Sequence, residues 1–202
     1  KLAKTIEKAM VKQVENLPIV KWVKLPEQRG FGLPGLAAII GECPGVDPET
    51  KEFTWNSLSD FSHYGKVWKR LAFSPCTYSG KTLSGSTWRY GKEGTLPSGE
   101  WTDLGYRPTA CSLMYNYGDS LFKGNRDGPY RKRSVEAHVR YYNLHKEDQT
   151  WNDCDFCKKD TGTCRTCGGT GKTNVRSYNH RRRMGMKLLV KNLWTAWQEF
   201  MK

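Results

Sequence analysis

The segment that most restricts this chain is "CDFCKKDTGTCRTCGGTGK", residues 154–172. It sets Cys154, Cys157, Cys164 and Cys167 in a C-x2-C-x6-C-x2-C pattern. Three chemistries use such pairs: a metal knuckle, a redox dithiol and a disulfide-stapled loop. A redox dithiol needs one C-x-x-C opening a helix beside a strand, and neither pair has that setting. Disulfides need an oxidising compartment. The N-terminus, KLAKTIEKAM, has neither the apolar run nor the small-residue cleavage site of an export signal. The seven cysteines are odd in number, and Cys43, Cys76 and Cys111 are isolated. Four thiolates at this spacing match the tetrahedron of one zinc ion. All four positions are then filled by protein, so the expected metal is a structural staple, not a catalytic one. Glycines after Cys167 let the backbone turn its amides toward sulfur.

The charge sets the second constraint. The chain has 202 residues, with 33 Lys and Arg against 20 Asp and Glu, a formal net charge of +13. Such an excess calls for an acidic partner: nucleic acid first, an anionic membrane second. No apolar run approaches the roughly 20 residues of a spanning helix, so no membrane partner is expected. Eight Trp and ten Tyr serve either a core or base stacking. A cytoplasmic location is expected. Lys158, Lys159, Arg165 and Lys172 could let the knuckle touch DNA; the equal alternative is a stapled insertion that merely orders a loop between two helices.

Apolar periodicity makes the rest mainly helical. Leu2, Ile6, Ala9, Met10, Val14 and Leu17 share one face of an N-terminal helix, either a core helix or the tail of a longer coiled coil. The chain opens inside this helix without an initiator Met, so a fragment is expected. "GFGLPGLAAIIGE" (30–42) is a glycine turn followed by a helix from Leu36. Residues 57–73 read as a helix capped by Ser59 or Asp60. Residues 74–109 read as a long irregular loop or a short hairpin. Helices follow over 109–123 and from just after Pro129 to about Asp148. A last long helix carries Met184, Lys187, Leu188, Lys191, Trp194, Ala196 and Trp197 on one face. The expected organisation is a helical DNA-binding domain, residues 1–148 and 173–202, with an inserted zinc knuckle at 149–172. His63, His138, His145 and His180 are read as surface or core-edge residues.

The glycine turn has the form of a helix-hairpin-helix element. In that device Gly30, Gly32 and Gly35 let the backbone approach a DNA phosphate, and the following helix N-terminus offers free amides and a positive dipole end. Arg29 and Gln28 sit beside it. The alternative is a glycine turn that serves only the fold. Arg181, Arg182 and Arg183 in "HRRRM" open a helix, where the dipole disfavours cations, so they suit either a phosphate or a solvated basic face.

Two resemblances add to this. "CRTCGGTG" resembles one half of the zinc region of DnaJ-type chaperones, which implies zinc and nothing about chaperone activity. The order of "GFGLPGLAAIIGE", "LSDFSHYGKVWKRLAFSPCTYSGKT" and "HRRRMGMKLLVKNLWTAW" resembles the C-terminal domain of the IS-one-ten transposases and Piv-type DNA invertases. That resemblance implies an all-α DNA-binding domain whose serine attacks a DNA phosphodiester. It places the serine at Ser79, or at Ser84 if the register slips; a serine nucleophile also needs a phosphate clamp, which Lys81 and Arg89 could supply. It further implies a separate acidic RuvC-like domain using magnesium, a guide RNA in some members, a homo-oligomeric recombination complex, and a bacterial or phage origin. The acidic domain is not in this sequence, and the zinc knuckle is not part of the family's pattern. Three functions therefore compete: a recombinase domain, a non-catalytic binding module, and a structural component of a nucleic-acid-containing particle.

Overall fold

A computed structural model describes residues 2–43, 45–46, 49–50, 53–54, 58–78, 80–84, 108–157 and 164–201. Among these the chain is mainly helical. The helices are α1 (Leu2–Val14), α2 (Val20–Val23), α3 (Gly32–Glu42), α4 (Tyr64–Arg70), α5 (Pro108–Gly124), α6 (Pro129–His145) and α7 (Val175–Phe200). Three two-stranded antiparallel ladders punctuate them: β1 (Gly45–Val46) with β2 (Phe53–Thr54), β3 (Pro75–Tyr78) with β4 (Lys81–Ser84), and β5 (Asn152–Asp153) with β6 (Lys172–Thr173). Among the described residues no helix is long and apolar enough to cross a membrane.

The organising element is α7. It packs against α4, α5 and α6. Its start is fixed by a capping box: the Asn174 side chain accepts from the Ser177 amide at 2.7 Å, and the Ser177 hydroxyl accepts from the Asn174 amide at 3.2 Å. The helix therefore begins at Val175, well before the Arg run. Its buried positions are Ser177, Arg181, Gly185, Met186, Leu189, Val190, Leu193, Ala196 and Trp197. The expected stripe of Met184, Leu188 and Trp194 is only half-buried, and Lys191 is exposed. The covered face is broad because three helices surround α7. Gly185 exists for one of them: a Cβ there would lie 2.4 Å from the Ser134 hydroxyl of α6. Indole N–H groups lock α4 and the segment before it onto α7. Trp68 donates to the Lys187 carbonyl (2.9 Å), Trp194 to the Phe61 carbonyl (2.9 Å) and Trp197 to the Ser59 hydroxyl (3.2 Å). Trp197, Leu189 and Met186 are fully buried. Side chains of this kind each contribute about 1.5–3 kcal/mol by leaving water.

Other expectations need revision. The helix at 57–73 is shorter, and its cap is His63, whose Nδ1 accepts from the Gly65 amide at 3.1 Å. Ser59 instead serves Trp197. In α1 only the end of the apolar face is covered: Val14 is buried, while Leu2, Ile6 and Met10 are exposed. His138 is fully buried and not at a core edge. The stretch read as loop or hairpin contains the β3–β4 hairpin, in register Tyr78↔Lys81 to Pro75↔Ser84.

The glycine turn at 29–32 is docked on the end of α5. A Cβ on Gly30 would lie 2.7 Å from the Ser120 carbonyl oxygen and 3.0 Å from the Leu121 Cα. Its φ of 95° is also one that glycine alone adopts without strain. Asn125 Nδ2 donates to the Glu27 carbonyl at 2.7 Å and the Arg29 carbonyl at 3.3 Å, and the Tyr130 hydroxyl donates to buried Gln28.

Candidate metal centre

The knuckle is built from two turns on a short ladder. β5 and β6 pair Asn152 with Thr173 and Asp153 with Lys172, and Lys172 Nζ meets the Asp153 carboxylate at 2.7 Å. The ladder closes the loop and brings the first cysteine pair beside the second. In the first turn Cys157 N donates to the Cys154 carbonyl (2.9 Å); in the second, Gly168 N donates to the Cys164 carbonyl (2.8 Å). Gly168, Gly169 and Gly171 have φ of 62°, 88° and 68°, left-handed values that favour glycine. The Cys154 amide donates to the Gly171 carbonyl at 2.8 Å, tying the two turns together.

All four cysteines are buried, and their sulfurs lie within 4.8 Å of one another. Cys154 Sγ and Cys164 Sγ are 3.8 Å apart; Cys157 Sγ and Cys167 Sγ are 3.0 Å apart. A disulfide would need about 2.0 Å, and all four are free thiols. Sulfurs at about 2.3 Å from one tetrahedral ion stand roughly 3.8 Å from each other. The Cys154–Cys164 separation matches that spacing and the Cys157–Cys167 separation is shorter; four buried sulfurs so grouped are consistent with a structural metal such as zinc. Electrostatics agree. Burial raises the Cys164 thiol, but the backbone amides of Cys167 and Thr166 and the Cys157 thiol bring it down to about 7. Contact with the Cys167 and Cys164 thiols pushes Cys157 far up. Four adjacent sulfurs cannot all ionise unless a cation neutralises them, and a divalent ion does so.

The centre is seated on α6 and α7. A Cβ at Gly168 would strike Val139 and Val135 of α6, at 2.6 and 2.8 Å. His138 Nε2 lies 3.2 Å from the Thr170 hydroxyl, which donates to the Cys167 carbonyl at 3.0 Å. Burial, and then the charge of Arg181, lowers the His138 pKa to about 4, so the ring is neutral near pH 7. Arg181 is 3 % exposed. Its Nη1 donates to the Thr166 carbonyl at 2.6 Å, and its guanidinium stacks on Phe122 and Tyr178, each at 4.4 Å. Among the described residues no carboxylate pairs with it. The fixed countercharge within the same packed region is the cysteine cluster. A tetrathiolate holding a divalent ion would carry net negative charge, and Arg181, which interacts electrostatically with Cys154, would offset it. Arg181→Met is therefore expected to weaken metal affinity about 10–100-fold, as loss of an outer partner does. Competition against a chromogenic chelator measures it; an unchanged affinity removes the countercharge role.

No known protein family, curated protein or solved structure matches this chain.

The remaining predicted site residues are dispersed. Ser79 and Arg89 lie outside the described residues, as do Lys158 and Lys159. Ser84 ends β4 opposite Pro75, and Lys81 pairs with Tyr78 at its other end. Arg29 and Gly32 are exposed; Gly35 is buried under Phe31. The three consecutive arginines all bind protein. Arg182 meets Asp119 at 2.8 Å and lies over the Tyr178 ring at 4.0 Å. Arg183 is half-buried beside His180 Nδ1, at 3.4 Å. Although burial favours its neutral form, Asp119 is held well below the usual carboxylate range by Lys123, Tyr178 and Arg182. Two groups escaped the sequence reading: Asp119 and buried His138. Asp119 has Lys123 one helical turn on, at 2.6 Å, but its Tyr178 partner lies 59 residues away, and the Thr170 that meets His138 lies 32 residues away.

Proposed function

We propose that this chain is a zinc-stapled DNA-binding domain of helix-hairpin-helix type. The observation that carries it is the placement of the glycine turn. Gly30 fixes the turn against α5, which leaves Gly32 and Arg29 exposed at the open start of α3. That start has no side-chain cap and no acidic residue in its first turn. Free amides, a positive dipole end and an adjacent arginine suit a backbone phosphate. The net charge of +13 supplies the long-range attraction. Zinc suits the four buried sulfurs better than a harder ion.

The test is duplex DNA binding across a salt series. Affinity is expected to fall linearly on log–log axes and to be similar for unrelated sequences. Arg29→Gln should lower the affinity of every duplex alike. A protein that binds no duplex even at low salt is not a DNA-binding domain.

A recombinase reading is favoured by one further observation, the β3–β4 hairpin, whose strands flank Ser79 in sequence. Thr77, Gly80 and Thr82 of this hairpin are exposed. In that reading Ser79 is the nucleophile, Lys81 and Arg89 hold the phosphate, and a magnesium-dependent acidic domain acts alongside. Ser79→Ala would then keep DNA binding and lose strand joining, with Ser84→Ala as the register control. If Ser79→Ala joins strands at the parent rate while Ser84→Ala is dead, the nucleophile is Ser84; if both variants join at the parent rate, or the parent joins none, the binding module alone stands.

A further inference from the structure

A cavity of about 320 Å³ lies at the corner between α5 and α6, where the knuckle meets them. Three separate segments supply its walls. The α5–α6 turn gives Arg126 and Asp127, the first turns of α6 give Arg131, Lys132 and Glu136, and the second knuckle turn gives Arg165. Four cations therefore face two carboxylates. Both carboxylates are engaged: Asp127 with Arg165 Nη1 at 3.0 Å, and Glu136 with Arg133 Nη1 at 3.6 Å. Among the described residues Arg126, Arg131 and Lys132 have no carboxylate partner.

The groove is already assembled. Arg131 Nη1 donates to the Phe122 carbonyl at 3.4 Å, its Nε donates to the Arg165 carbonyl at 3.3 Å, and its guanidinium rests on the Phe122 ring at 4.5 Å. Burial, and then the neighbouring Arg165, push the Arg131 pKa down against the opposing pull of Asp127. The 17-residue helix α6 begins at this corner, after Gly128, with no side-chain cap and no acid in its first turn. The corner also adjoins the glycine turn, because Asn125, next to Arg126, holds the Arg29 carbonyl.

We infer that this groove is a second phosphate-binding site, which takes the DNA backbone where it continues past the Gly30–Gly32 turn. The inference rests on the DNA-binding reading and extends it. It gives the knuckle a direct part in recognition, since the metal-held turn delivers Arg165 to one wall. It also assigns Asp127 an opposing role: its carboxylate competes with phosphate for Arg165.

Duplex DNA of random sequence, titrated into the metal-loaded protein over a salt series, tests the assignment. Arg126 and Lys132 are exposed, so R126Q/K132Q should keep the parent's circular dichroism and metal content. It is expected to lose about tenfold or more in affinity, and its log–log salt slope should shrink by about 2, roughly one unit per lost contact. Lys8 and Lys12 lie exposed on α1, and K8Q/K12Q, with the same change in net charge, should leave the slope near the parent's. Asp127→Asn should tighten binding several-fold, a gain that no mere loss of structure produces. If R126Q/K132Q matches K8Q/K12Q, or if Asp127→Asn weakens binding, the groove is not the site and the DNA-binding reading survives. If the parent binds no DNA, both fall together.

Discussion

Replacing Cys167 with serine is expected to empty the metal centre and to loosen two helices that contain no ligand. The parent should carry one metal ion per chain by elemental analysis, and the variant none. Among the described residues the knuckle has no apolar core of its own. Its sulfurs form their own small cluster, separate from the main hydrophobic core. Its ladder is two residues long on each side. Metal binding in such a loop is folding free energy, about 10–16 kcal/mol in isolated zinc-finger peptides. The damage should then spread along the contacts described above. Gly168 would leave Val135 and Val139 of α6, and Arg181 would stay buried in α7 with neither its countercharge nor the Thr166 carbonyl. An unpaired buried charge destabilises by about 3–5 kcal/mol. Hydrogen exchange should accordingly rise over residues 130–140 and 177–185 as well as within the knuckle, while α3 and α4 keep their protection. Stoichiometric metal in the variant, or none in the parent, would contradict the assignment. Faster exchange confined to 150–173 would show that the knuckle is a passive insert.

Gly30→Ala is expected to cost about 3–5 kcal/mol of folding stability, combining strain at a left-handed φ with overpacking. The new Cβ would meet the backbone of α5, which cannot swing aside as a side chain does. Gly32→Ala should cost about 1 kcal/mol, because its φ is 63° but the nearest atom, Cδ of Pro34, is 3.5 Å away. Urea unfolding of the two variants separates them. Equal midpoints would mean that Gly30 is not docked on α5. The pair also separates fold from function: the DNA phosphate reading needs Gly32, and the protein itself uses Gly30.

What the sequence disclosed follows from the range of the interactions involved. The cysteine quartet was legible because C-x-x-C turns set their sulfurs locally, and the spacing of the pairs limits the loop. Helices α5 and α6 were legible because their apolar repeat and their ends, Gly124 and Pro129, are local signals. Arg181 was not. In the sequence it is one of three equal arginines, and only the approach of Thr166 and Phe122 makes it an interior cation. The cap of α4 was missed for a related reason: Ser59 and Asp60 are better cap residues than His63, but Trp197 claims the Ser59 hydroxyl from 138 residues away. Gly30 was recognised as a glycine that allows close approach, yet the sequence cannot say whether the approaching partner is DNA or α5.

The indole bonds that fasten α4 and its leading segment to α7 join residues 119, 133 and 138 positions apart. Their consequence is kinetic. Helices form in microseconds from local contacts, but these closures must bring distant segments together before any burial repays the lost chain entropy. Each doubling of a loop adds only about 0.6 kcal/mol to that cost, so stability suffers little while the search lengthens. The knuckle lies inside this same loop and can close by itself, ahead of the larger event. Refolding in the presence of metal should then show a fast knuckle phase before the slow burial of Trp197, whose emission shifts to the blue only when the long loop shuts.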